Sequence, residues 1–127
     1  MATSTIIPNA DFIVEEGTET VSNNVWTYRK WNSGIAECWC LTPQTSKTVS
    51  TSYGAGFYGA RDSYNFPSGL FASAEISVMT SLRDSGSIGT WFSIQNITAT
   101  DVGGYVFSIT SNTINIRLGI HAIGRWK

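Results

Sequence analysis

The sequence predicts an all-β fold, an antiparallel β-sandwich or jelly-roll-like knob, on three observations. Twelve glycines against three prolines, with clusters such as Asn-Ser-Gly, cut the 127 residues into short apolar runs, which is the punctuation of strands and turns. No window sustains a 3.6-residue apolar period, whereas several runs alternate with period two. Aromatic side chains reach 13% of the chain, level with the charged ones, a balance that suits pleated, half-buried surfaces and excludes a disordered tail or a coiled coil. About eight strands at this spacing favour two packed sheets over one open sheet. The length fits one domain. Residues 1–10, polar and carrying Pro8, read as a leader or stalk connection, and residues 11–127 as one sandwich domain.

The first strand is expected over Asp11 to Glu16. The clearest local signal follows it. Asn24 to Trp31 and Gly34 to Thr42 are rich in aromatic and apolar residues, and Asn32-Ser33-Gly34 between them suits a three-residue hairpin loop with Gly34 left-handed. Such a loop pairs Trp31 with Ile35. It then sets Arg29 opposite Glu37, Thr27 opposite Trp39 and Val25 opposite Leu41 on one face, with Tyr28 opposite Cys38 and Trp26 opposite Cys40 on the other. Arg29 and Glu37, flanked by tryptophans, are expected to form a partly buried ion pair. Both faces are too apolar to lie in water throughout, so one covers a core and the other meets a second surface, a neighbouring subunit being one candidate. Lys47 to Tyr53 reads as a strand. Phe71 to Leu82 reads as another, because Ala72, Ala74, Ile76 and Val78 alternate with Ser73, Glu75, Ser77 and Met79. Ile88 to Gln95 and Tyr105 to Thr110 follow. From Thr113 to Trp126, the residues Ile114, Ile116, Leu118, Ile120, Ala122 and Trp126 form a core face opposite Asn115, Arg117, Gly119, His121, Ile123 and Arg125.

Eight basic and nine acidic residues leave a net charge of -1, which lacks the basic footprint of a nucleic-acid binder. No run reaches the ~20 apolar residues of a membrane helix, and the first ten residues have no secretory pattern. Cys38 and Cys40, two apart on one strand, point the same way at a spacing unsuited to a disulfide, and read as buried free thiols. No catalytic residue, cofactor or metal site is expected. His121, the one histidine, lies mid-strand, where a cross-strand hydrogen bond is a better reading than a catalytic base. One His and two Cys at i, i+2 do not match zinc spacing. A glycosidase dyad from Glu15 and Glu16, or from Glu37 and Glu75, is the weaker reading, since the first two point to opposite faces of a strand and Glu37 faces Arg29. Asn96-Ile97-Thr98 is a glycosylation sequon without a secretory context.

Gly54-Ala55-Gly56-Phe57-Tyr58-Gly59 matches G-x-G-x-x-G, but the residues after it, Ala60 to Pro67, have no helical period and end in a turn, so the dinucleotide reading fails. Tyr53 to Asn65 reads instead as a glycine-rich binding loop with Tyr53, Phe57, Tyr58, Arg61, Asp62 and Tyr64 as ligand contacts. Aromatic faces stack on the apolar side of sugars, and Arg and Asp hydrogen-bond hydroxyls. The alternative is that these aromatics fold back onto the core.

Three segments together resemble a known family. They are Trp26 to Trp39, Phe66-Pro67-Ser68-Gly69-Leu70-Phe71 and Gly124-Arg125-Trp126-Lys127, with Asp11 to Gly17 as an entry strand. They look like the C-terminal tip domains of tail-fibre and minor structural proteins in phages and prophages of Gram-positive gut bacteria. The resemblance implies a homotrimeric knob at the distal end of a virion fibre, assembled in the host cytoplasm, that presents loops to a bacterial cell-surface glycan or other envelope component. By the same resemblance Trp26, Tyr28, Arg29, Trp31, Glu37, Trp39, Arg125 and Trp126 are scaffold and trimer contacts rather than ligand contacts. The chain departs from the family at Cys40, where a small or polar residue is expected, and over residues 43–65, so no binding residue is carried over. A structural trimerisation or capping domain without a ligand, and a small hydrolase, are the competing readings.

Overall fold

The computed structural model describes residues 11–84 and 89–127; the expected leader, and Ile88 at the start of one expected strand, lie outside them. Ten strands are present among the described residues: β1 Ile13–Val21, β2 Asn24–Trp31, β3 Ile35–Leu41, β4 Thr45–Tyr53, β5 Gly56–Gly59, β6 Asp62–Asn65, β7 Ser77–Asp84, β8 Thr90–Ile97, β9 Asp101–Ser108 and β10 Asn112–Arg125. Every pairing is antiparallel.

The β2–β3 hairpin has the register its loop dictates. Arg29 faces Glu37, Tyr28 faces Cys38 and Thr27 faces Trp39, and Gly34 sits at φ 99°. The ladder ends at Thr27 and Trp39, short of the expected Trp26–Cys40 and Val25–Leu41 pairs. Beyond that point β2 stays with β1 down to the Val21–Asn24 turn, while Leu41 and Cys40 pair with β10. The expected Arg29–Glu37 ion pair does not form. β1 runs along the other edge of β2 and brings Glu16 within 3.2 Å of the Arg29 guanidinium, while Glu37 turns to Trp31 and His121, whose Nε2 lies 3.6 Å away.

β10 organises the rest because it is long enough to serve two layers. One of its edges carries β4 on Asn112–Ile116 and then β3 on Gly119–Arg125; its other edge carries β7. β9 repeats the device, with β6 and β5 sharing one edge and β8 on the other. The alternating side chains Ile114, Ile116, Leu118, Ile120 and Ala122 of β10 are all buried, each of the larger ones contributing about 1.5–3 kcal/mol of transfer free energy. Clustered with Leu118, Ile120 and Ala122 are Trp26, Cys38 and Cys40 from the β2–β3 side and Val102, Phe92 and Ile94 from the β8–β9 side, while Ile114 and Ile116 cluster with Val49 and Val106, so that the two strand groups cover each other face to face.

Three expectations on strands are corrected. Phe71 to Ile76 is irregular, and the strand begins at Ser77. Phe71 and Ile76 are buried beneath Gly124, and the small alternating Ala and Ser between them follow a bent path. The first strand begins at Ile13 and continues to Val21; its polar Gly17 to Thr20 suit an edge strand paired on β2 alone. The stretch 53–65 is not a loop, because β5 and β6 dock on β9.

Both cysteines are free and buried. Burial pushes the Cys40 thiol from 9.0 up to about 11, and holds the Cys38 thiol higher still, with Cys40 and Glu37 adding to it. Iodoacetamide at mildly alkaline pH is therefore expected to label neither thiol in the native chain and both in denaturant, read by mass spectrometry. The folded state keeps these protons longer than the unfolded state, so the associated stability is complete below about pH 9 and is lost as pH climbs through 11.

Candidate functional site

The six expected ligand contacts separate by strand parity. Tyr53 and Tyr58 project from the outer face of the β4–β5 hairpin, and Tyr58 lies opposite Phe107 of β9. Gly54, at φ 58°, makes the reversal that places them side by side. With Tyr105 and Phe107 they line a shallow cleft of about 290 Å³. Its walls are built by edge-on contacts: Tyr53 meets Tyr58 at 6.0 Å and Phe107 at 5.9 Å, and Tyr58 meets Tyr105 at 5.5 Å. Edge-on packing of this kind fixes the rings without hiding all their faces. Trp91 extends the surface, stacked on Phe107 at 5.6 Å and 9°. Tyr53 is 67% exposed and Trp91 45%, so the aromatic face is open to solvent.

The other four candidates lie elsewhere. Phe57 has the opposite parity and packs on the buried Val49 and Val106. Tyr64 leans against Phe92 in the core, and burial raises its hydroxyl to about 12. Arg61 donates to Gln95 at 2.7 Å. Asp62 is bound to Lys47 at 2.8 Å, and Lys47 also donates to the Ala60 carbonyl. The sequence reading missed Tyr105, Phe107 and Trp91; the alternation of Tyr105, Phe107 and Ile109 against the buried Val102, Val106 and Ser108 carries the signal.

The motif residues form one cluster within the chain. Trp26 is fully buried and meets Phe66 edge-on at 5.8 Å. Tyr28 donates to Glu15, and that bond raises its hydroxyl pKa. The Arg29 guanidinium sits 5.2 Å from the Trp39 ring, and Trp39 lies 6.1 Å from His121. Trp31 donates to Glu37. The C-terminal residues clamp the hairpin: Arg125 donates to the Ser33 carbonyl at 3.0 Å and Trp126 to the Trp31 carbonyl at 2.8 Å. The motif Phe66 to Phe71 supplies the buried Phe66, Leu70 and Phe71. The three motifs are thus a packing signature.

No family model matches the chain, and no curated protein sequence matches it. Among solved structures it is similar to an N-truncated R1-type pyocin tail fiber, with a TM-score of 0.59 and 13% identity over 87% of this chain and 86% of that one. At that identity the likeness is one of fold, and it gives no support to an origin in Gram-positive gut bacteria; what it shows is that this all-β antiparallel arrangement is shared with a tail fibre.

Proposed function

We propose that the chain is a tip domain of a phage-type tail fibre, that it self-associates as a homotrimer, and that it binds a carbohydrate of the bacterial surface through the Tyr53–Tyr58–Tyr105–Phe107 cleft. The observation that carries this reading is the cleft: four aromatic rings on the outer face of a sheet, fixed by one another and open to solvent. Such rings stack on the apolar faces of sugars at little conformational cost. The fold shared with a tail fiber supports the setting. Among the described residues no carboxylate lines the cleft, so it favours binding over glycoside hydrolysis, which needs a pair of them.

The test is binding of the purified chain to bacterial envelope fragments and a glycan array. The double variant Tyr53→Ala, Tyr58→Ala is expected to lose at least tenfold in affinity with little loss of stability, because both rings lie outside the core. Absence of binding by the parent chain, together with a trimer in light scattering, would replace this reading with that of a structural trimerisation domain. The stacked Trp91 and Phe107 pair favours that alternative, as a face of this kind also suits a second copy.

A further inference from the structure

We infer that a second, polar cleft beside β6 is a sugar subsite with Asp62 as its anchoring acceptor. The inference rests on the carbohydrate part of the function proposed above, and not on the aromatic cleft. The polar cleft has a volume of about 430 Å³, within the range of small-molecule sites. It lies among the β1–β2 turn, the start of β4 and β6, and its walls include Asn23, Asn24, Thr42, Lys47, Asp62 and Ser63. Asn24 and Thr42 are buried.

Asp62 is only half used. Its Oδ1 accepts from Lys47 at 2.8 Å, whereas its Oδ2 is buried with no hydrogen-bond partner among the described residues. A carboxylate oxygen left in that state costs free energy until a donor reaches it. Reaching that oxygen from the cleft takes a turn about the aspartate χ2 torsion, which is broad and two-fold.

The lining selects the chemistry of that donor. Lys47 and Asp62 cancel, so an anion would meet the carboxylate and a cation the ammonium. No group of three metal-ligating side chains occurs among the described residues, which disfavours a divalent ion. What remains is a wall of hydroxyls and amides around an acceptor and a donor held side by side. A neutral ligand with adjacent hydroxyls satisfies both, donating one hydrogen bond to Asp62 and accepting one from Lys47.

The experiment is a titration of the ¹⁵N-labelled full chain with free glucose, galactose, rhamnose and N-acetylglucosamine into the tens-of-millimolar range, followed by amide shifts. Saturable shifts at residues 22–24, 45–47 and 62–64 with at least one sugar are expected. Asp62→Asn should weaken that binding about tenfold or more, through loss of a charged acceptor. Ser46→Ile, on an exposed rim position of β4, should block it while leaving the fold's spectrum intact, which keeps the test valid should Asp62→Asn fold poorly. Shifts confined to Tyr53, Tyr58 and Tyr105 would overturn this inference and leave the aromatic cleft standing. No shift at either cleft with any of the four sugars would overturn it as well.

Discussion

Gly104→Ala is expected to destabilise the fold by about 3 kcal/mol and to lower the thermal midpoint by roughly 10 °C, although it adds a single methyl group. Gly104 lies in β9 between β6 and β8, opposite Asp62 on one side and Ile94 on the other. A Cβ there would overlap the carbonyl oxygen of Ser93 and lie 2.8 Å from the Phe92 ring. The oxygen belongs to the backbone of β8, whose ladder to β9 already carries a bulge between Ile94 and Asn96, so relief requires the strand itself to move. Gly103→Ala is the control. The group nearest its Cβ is the guanidinium of Arg61, the far end of a flexible side chain, which can swing away for the loss of its bond to Gln95. That variant is expected to cost under about 1 kcal/mol. Equal melting temperatures for the two alanine variants, measured by circular dichroism, would refute the argument.

The parts of this fold that could be read from the sequence are those set by neighbours in the chain. The hairpin register followed from Asn32-Ser33-Gly34, because a three-residue loop with a left-handed glycine leaves one pairing open. The buried face of β10 followed from the alternation of Ile114 through Ala122. What could not be read depends on which strands lie side by side. Glu16 captures Arg29 only because β1 flanks β2, a fact absent from the local pattern. The same holds for the candidate site. Tyr53 and Tyr58 carry the right residue type, but their partners Tyr105 and Phe107 are about fifty residues on, and only the β5–β9 pairing joins them. Tyr64 and Phe57, of the same type in the same stretch, face the core because β6 and the parity of β5 place them there. Asp62 and Lys47 met through the docking of two strands, one of which the glycine-rich sequence had disguised as a loop.

Trp26→Ala is expected to cost about 4 kcal/mol, the upper part of the range for core aromatic truncation, and Trp26→Phe much less. The indole is fully buried and meets Phe66 edge-on within the core cluster that also holds Cys38 and Cys40, so alanine leaves a cavity that the flanking strands, tied to β1 and β10, cannot close. Phenylalanine opens a smaller void and removes a liability, since the indole Nε1 is buried without a hydrogen-bond partner among the described residues. Losing an unpaired buried N–H returns about 1–3 kcal/mol, which offsets most of the lost packing. Urea unfolding curves should thus rank the parent chain and Trp26→Phe close together and Trp26→Ala far below. The same curves, run at two protein concentrations, separate the two roles the motif resemblance implied for this residue. A scaffold tryptophan lowers the midpoint in both by the same amount, whereas one whose loss acted through subunit contact would change the dependence on concentration. With the ring enclosed by its own chain, the first outcome is expected.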